Sequence, residues 1–256
     1  MITLDGQTVL VTGAAGGIGA ATAAVLLDAG AHVALHWHSG AGAAAELAAA
    51  YPDRATTVQA DLGRKAAVAE LWRAAGDWAA GTPAGGLTAL VNNAATMPYS
   101  APEDPYEDWD RDWDRVWAVN VRAVADLSRL AVLAFTARGG GRIVNVASRA
   151  AFRGDMPDAM HYAASKGAVV ALTRSLAKGY ARQGVLAYTV APGWVRTERV
   201  APRIDDPANA HMLDEVPMGD AAPPREVGNL IAFLLSGLAT HATGATVDIN
   251  GASYFH

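Results

Sequence analysis

Tyr162 and Lys166 lie four residues apart in "HYAASKGAVVALTRSLA", residues 161–177, an Ala- and Leu-rich stretch that reads as helix. That spacing puts a phenol and an ammonium on one helix face, one turn apart. Their neighbours Ala163, Ala164, Ser165, Gly167 and Ala168 are all small, leaving room for a ligand or a close-packed helix. A cation beside a tyrosine favours the phenolate and lowers the pKa from its ordinary value near 10. A phenol tuned in this way gives a proton to a carbonyl or takes one from an alcohol. A half-buried Tyr with a surface Lys is also common on amphipathic helices, and the pair alone does not choose between the two.

A second chemical feature is "VTGAAGGIGAA", with Gly13, Gly17 and Gly19 spaced Gly-x-x-x-Gly-x-Gly. Between an apolar strand and a helix, such glycines allow a tight turn and bring backbone N–H groups close to a phosphate. His36 and His38 alternate along a strand and suggest metal ligation, but no third ligand accompanies them, so no metal site is expected. Trp109, Trp113 and Trp117 form a stripe of the kind that packs a core or a subunit interface. Arg149 and Arg153 read as surface charge, with an acidic substrate or carrier as the alternative. Met97, Phe152, Met156 and Trp194 are candidates for a substrate wall by loop position.

The elements that must position these groups follow a regular alternation. Seven short apolar runs, "TVLVTG", "HVALHW", "TTVQADL", "ALVNNAA", "GRIVNVAS", "VLAYTVAPG" and "TVDING", are separated by helical stretches. Those stretches fall near 17–29, 41–50, 64–80, 107–137, 161–182 and 224–236. Near-continuous apolar strands joined by crossover-length helices predict an α/β fold. The expected form is a Rossmann-type, doubly wound parallel seven-stranded sheet with helices on both faces. No long linker or internal repeat divides residues 1–256, so a single domain is expected, with 197–223 as a substrate loop or lid.

Bulk properties exclude several classes. Of 256 residues, 52% are hydrophobic and 18% charged, enough for a sizeable core and too apolar for disorder. A net charge of −5 argues against nucleic acid or an anionic membrane as partner. With no cysteine there is no disulfide or thiol chemistry. No basic leader and no apolar run of spanning length is evident, so the expectation is a soluble, cytoplasmic protein.

Five motifs in order, "TGAAGGIG", "NNAA" (92–95), Ser148 ending "RIVNVAS", "YAASK" (162–166) and "PGWVRT" (192–197), resemble the short-chain dehydrogenase/reductase family over nearly the whole chain. The nearest branch is that of β-ketoacyl carrier-protein reductases and sugar or polyol dehydrogenases. The resemblance implies an NAD(P)-dependent enzyme acting on a small-molecule carbonyl or secondary alcohol, of 3-oxoacyl- or ketone-reductase type. A sugar or polyol dehydrogenase is the alternative, and a non-catalytic nucleotide-binding regulator is the rival from another class. An enoyl reductase would show a longer gap between tyrosine and lysine. The resemblance also implies a homo-oligomer built on the helices at 107–137 and 161–182, tetramer before dimer.

By the same resemblance, Tyr162 is the general acid/base and Ser148 orients the substrate oxygen. Lys166 bonds the nicotinamide ribose, and Asn120 holds a water on a proton path. Gly13, Gly17, Ile18, Gly19, Asp61, Leu62, Asn92 and Ala94 would contact the nucleotide. Pro192, Gly193, Val195 and Thr197 would meet the nicotinamide. Three positions depart from the pattern: Thr88 where an acid is common, Ala252 where a second glycine is common, and Trp37 where NAD-using relatives carry an acid. Without that acid a 2′-phosphate is not repelled, and His38 and Ser39 offer donors there. Against this, Gly16 stands where NADP-using relatives often carry a lysine or arginine, so the preference rests on the missing acid and on His38 and Ser39. NADP(H) is therefore expected over NAD(H).

Overall fold

A computed structural model describes residues 2–256. Its strands are β1 (Thr8–Val11), β2 (His32–Trp37), β3 (Ala55–Gln59), β4 (Ala89–Asn92), β5 (Gly141–Val146), β6 (Val185–Pro192) and β7 (Thr246–Ile249). They form one parallel sheet in the order β3-β2-β1-β4-β5-β6-β7. The helices are α1 (Gly17–Asp28), α2 (Gly42–Ala50), α3 (Lys65–Ala79), α4 (Tyr106–Val116), α5 (Val124–Ala137), α6 (Ala150–Arg153), α7 (Met160–Tyr180), α8 (Ala201–Ile204) and α9 (Pro224–Leu235).

Strand parity builds two cores. Val9 and Val11 of β1 pack on one face with Leu26 and Leu27 of α1 and Val227 and Ile231 of α9. Leu10, between them, packs on the other face with Leu71 of α3, Leu127 and Phe135 of α5 and Leu176 of α7. Both faces of the central strands β1, β4 and β5 are thus buried, which is why their sequences lack a polar alternation, whereas the edge strand β3 alternates buried or half-buried with exposed residues. Gly228 lets α9 close on α1, since a Cβ there would lie 3.1 Å from the Ala21 carbonyl oxygen.

The architecture matches the sequence expectation, and the differences are local. The predicted helix at 107–137 is interrupted by a π-helical turn, Trp117–Ala123, which carries the fully buried Asn120. Such turns insert a residue and re-aim side chains, and they recur at functional sites. The third strand ends at Gln59, leaving Asp61 and Leu62 in the following turn. Segment 197–223 contains α8 and a 3₁₀ stretch, Pro207–Met212, and a bridge from Val195 to Ala222 spans it. No helix of the described residues is long and apolar enough to cross a membrane.

Candidate active site

β1 and β4 are neighbours although β2 and β3 intervene in sequence, so connections leave in opposite directions at their carboxyl ends and open a crevice there. Ser148 follows β5 at that edge, and α7 presents Tyr162 and Lys166 beside it. All three line a cleft of about 950 Å³ together with Ile18, Pro192, Gly193, Val195 and Thr197. These expected site residues therefore share one cavity despite coming from four parts of the chain.

The electrostatics differ from the expected tuning. Lys166 is 3% exposed. Its Nζ lies 5.6 Å from the Tyr162 ring centroid and donates to the Val146 carbonyl oxygen at 2.8 Å. Burial drives the lysine down to about 8. Burial likewise pushes the Tyr162 phenol up to about 12, with the Ser148 hydroxyl opposing this in part. Desolvation thus dominates in the ligand-free protein, and the phenol moves opposite to the expected lowering and is protonated at neutral pH.

Asn120 stands apart from the other three. Its Oδ1 accepts from Thr96 N–H at 2.8 Å, and its Nδ2 donates to the Thr96 carbonyl at 2.9 Å and to Ser165 Oγ at 3.1 Å. Ser165 Oγ donates in turn to the Tyr162 carbonyl at 2.7 Å. The amide ties the chain after β4 to the first turns of α7 and so positions Tyr162.

The glycine turn is braced from two sides. Asn93 Nδ2 donates to the carbonyls of Thr12 at 2.9 Å and Gly13 at 3.3 Å. Gly13 N–H donates to His36 Nδ1 at 3.1 Å, and His36 Nε2 lies 3.1 Å from the Ala60 carbonyl oxygen. Burial lowers His36 to about 4, so it is a neutral brace. His38 is exposed and does not share its surroundings, and no metal-holding group of side chains occurs among the described residues. Gly19 has no room for a side chain, because a Cβ would lie 2.1 Å from the Gly13 carbonyl oxygen. Gly17 adopts φ +54 and its N–H donates to Glu198 Oε2 at 3.0 Å. The start of α1 therefore already holds an anion, as a phosphate cradle should.

Other expected nucleotide contacts are mixed. Ala94 sits against Gly13, its N–H donating to Thr12 Oγ1 at 3.0 Å. The Asn92 side chain turns inward, donating to Asn145 Oδ1 at 2.8 Å and Ser128 Oγ at 3.3 Å, so it is the Asn92 main chain that remains at the carboxyl edge of β4. Adjacent strand residues face opposite sides, so Asn93 is the amide at the turn. Leu62 is buried in the core, and Asp61 pairs with Arg115 at 3.1 Å and lies 3.8 Å from His38. Ser39 is exposed beyond the end of β2. Met97, Met156 and Trp194 do line the cleft, whereas Phe152 stacks on His256 at 4.3 Å. Arg149, expected at the surface, is 6% exposed and lines the cleft with Arg153. Thr12, Asn93 and Ser165 lay within the quoted motifs but went unassigned; Glu198 and Glu215 had no local signal.

A family model described as Enoyl-(Acyl carrier protein) reductase matches residues 13–252. The cis-4-hydroxycyclohexanecarboxylate dehydrogenase of Sinomonas cyclohexanicum is 37% identical over 250 residues, 96% of this chain and 95% of its own. The structure of the angucycline C-6 ketoreductase LanV with bound NADP aligns with a TM-score of 0.88 at 34% identity, covering 98% of this chain and 96% of that one. The 3-ketoacyl-(acyl-carrier-protein) reductase from Brucella melitensis, complexed with NADH, aligns with a TM-score of 0.86 at 30% identity, covering 99% and 100%. The chain belongs to the short-chain dehydrogenase/reductase family. It is an NAD(P)-dependent oxidoreductase.

Proposed function

We propose that this enzyme reduces a ketone to a secondary alcohol, with Tyr162 as proton donor and NADP(H) favoured over NAD(H). The observation that carries the reading is the half-buried Tyr162 phenol, held protonated at neutral pH beside Ser148 in the cleft. A protonated phenol is the form needed to give a proton to a carbonyl oxygen. Ser148 is placed to orient that oxygen, and the Lys166 ammonium favours the phenolate that remains after transfer. The Asn120–Ser165 bonds keep α7 in register with the cleft.

Gly13, Gly17, Ile18 and Gly19 would hold the pyrophosphate of the cofactor. Asp61, Leu62, Ala94 and the main chain of Asn92 would flank the adenosine, and Pro192, Gly193, Val195 and Thr197 the nicotinamide. When bound, the nicotinamide supplies the hydrogen and two electrons that reach the carbonyl carbon. The cofactor preference is supported by the end of β2, where Trp37 packs on the core and His38 and Ser39 follow at the surface with no acid among them. The ketone reading is supported by an apolar wall of Met97, Met156, Trp194 and Met212, and by the four-residue step from Tyr162 to Lys166. Segment 197–223, which contributes Thr197, Met212 and Glu215 to the cleft, acts as its lid.

A turnover screen of ketones, 3-oxoacyl thioesters and sugars with NADPH and NADH tests the proposal. Carbonyl reduction with NADPH as the better donor is expected, and sugar oxidation alone would overturn it. Tyr162→Phe should lower turnover by about 10²–10⁴-fold while leaving cofactor affinity near normal. Mutant turnover within about threefold of the parent would remove Tyr162 from the role.

A further inference from the structure

Arg149 directly follows Ser148, yet it is buried and carries more partners than any other cation of the cleft. Its guanidinium donates to Ser253 Oγ at 2.6 Å, bonds Glu215 Oε1, and lies over the Trp194 ring at 5.6 Å. Arg153 donates to the other oxygen, Glu215 Oε2, at 2.6 Å, and Trp194 Nε1 donates to Oε1 at 3.1 Å. One carboxylate therefore receives three donors on its two oxygens. Partial burial opposes ionisation of Glu215, but Arg153 and Arg149 outweigh it and hold the carboxyl below its usual range.

The donors and the acceptor come from different parts of the fold. Arg149, Arg153 and Trp194 stand on the frame, just after β5, in α6 and just after β6, whereas Glu215 belongs to segment 197–223. All four line the same cleft as Ser148 and Tyr162. The same segment places a second carboxylate, Glu198, on Gly17 N–H, where the proposed cofactor would bring its own anion. Two acids of the segment, Glu198 and Glu215, thus occupy positions suited to a ligand anion.

We propose that Arg149, Arg153 and Trp194 form a carboxylate subsite of the substrate cleft, held by Glu215 in the ligand-free protein. The substrate is then an oxo or hydroxy acid with an apolar body, whose carboxylate takes the place of Glu215. This rests on the oxidoreductase reading of the cleft and adds the substrate class. Exchange of one carboxylate for another conserves charge and donor count, whereas a neutral ligand that displaced Glu215 would leave two guanidinium groups unpaired. Asp155, which also acts on Arg149, and Arg203, bonded to the Tyr99 hydroxyl, stay in place through the exchange. The apolar body would lie along Met97, Met156 and Met212.

The test compares 4-oxocyclohexanecarboxylate and 4-oxopentanoate with their methyl esters, using the full chain and NADPH. Each acid should exceed its ester at least about tenfold in kcat/KM, because a site built for a polar group discriminates against an analogue lacking it. Arg153→Met, at a one-third exposed side chain, should bring the acid-to-ester ratio to within about twofold, a ratio in which any change common to acid and ester cancels. A ratio near one in the parent, or one unchanged by Arg153→Met, overturns the subsite. Calorimetric binding of the acids decides the matter independently of turnover. Selective binding of acid that Arg153→Met abolishes supports the subsite even if no compound is reduced, in which case the ketone-reductase reading alone fails. Equal or absent binding of acid and ester overturns the subsite.

Discussion

Lys166→Met should stabilise the ligand-free protein while abolishing its activity. The ammonium is held at about 8 against an ordinary 10.5, so keeping it charged in the fold at neutral pH costs roughly (10.5 − 8) × 1.36, or about 3 kcal/mol. The hydrogen bond to the Val146 carbonyl returns about 1.5 kcal/mol of this. Methionine has a similar length and no charge to desolvate, so the net gain is about 1–2 kcal/mol, or roughly 3–6 °C in Tm for a chain of this size. Below pH 8 the lysine is charged in both folded and unfolded states and the full penalty applies. Between pH 8 and 10.5 the unfolded chain holds the extra proton, so parent stability rises with pH through this window. Above it both states are neutral and the advantage of the mutant is gone. Tyr162, raised to about 12, acts in the opposite sense only above pH 10 and is present in both proteins. Unfolding by urea at pH 7 and pH 10, without cofactor, reads the difference. A mutant less stable than the parent at pH 7, or a gap that does not narrow at pH 10, would refute the desolvation argument. The exchange of stability for a placed charge is the usual bargain at an active site.

Two further outcomes follow from other contacts. Glu198→Gln should tighten binding of both NADPH and NADH by roughly two- to fivefold, because a charge at a helix N-terminus is worth about 0.3–1 kcal/mol and competes with the pyrophosphate; fluorescence titration showing unchanged or weaker binding would dismiss the competition. The homo-oligomer expected from the sequence has a candidate surface in the exposed Tyr106, Trp117, Leu133, Met160 and Tyr180, on α4, the π turn, α5 and α7. Sedimentation should show a tetramer or dimer at micromolar concentration, and a monomer would refute it.

Much of this protein was legible without coordinates because the signals were local. A Gly-x-x-x-Gly-x-Gly turn, apolar strand runs and a Tyr–Lys pair one helical turn apart depend only on neighbours along the chain. The strand runs were enough for the seven-stranded parallel sheet, and the family resemblance supplied Ser148, Ile18 and Pro192–Val195, which share the cleft with Tyr162 and Lys166. Tertiary structure decided whatever depends on direction, distance or burial. Asn92 and Asn93 are indistinguishable in "NNAA", and only the register of β4 in the sheet turns one inward and leaves the other at the glycine turn. Arg149 reads as a surface charge until the chain brings Glu215 to it across 66 residues, as it brings Glu198 to Gly17 across 181. The Tyr162 phenol moved opposite to its expected direction for the same reason. A pKa follows the solvent a group has lost as well as the charge beside it, and the loss of solvent is a property of the packed fold.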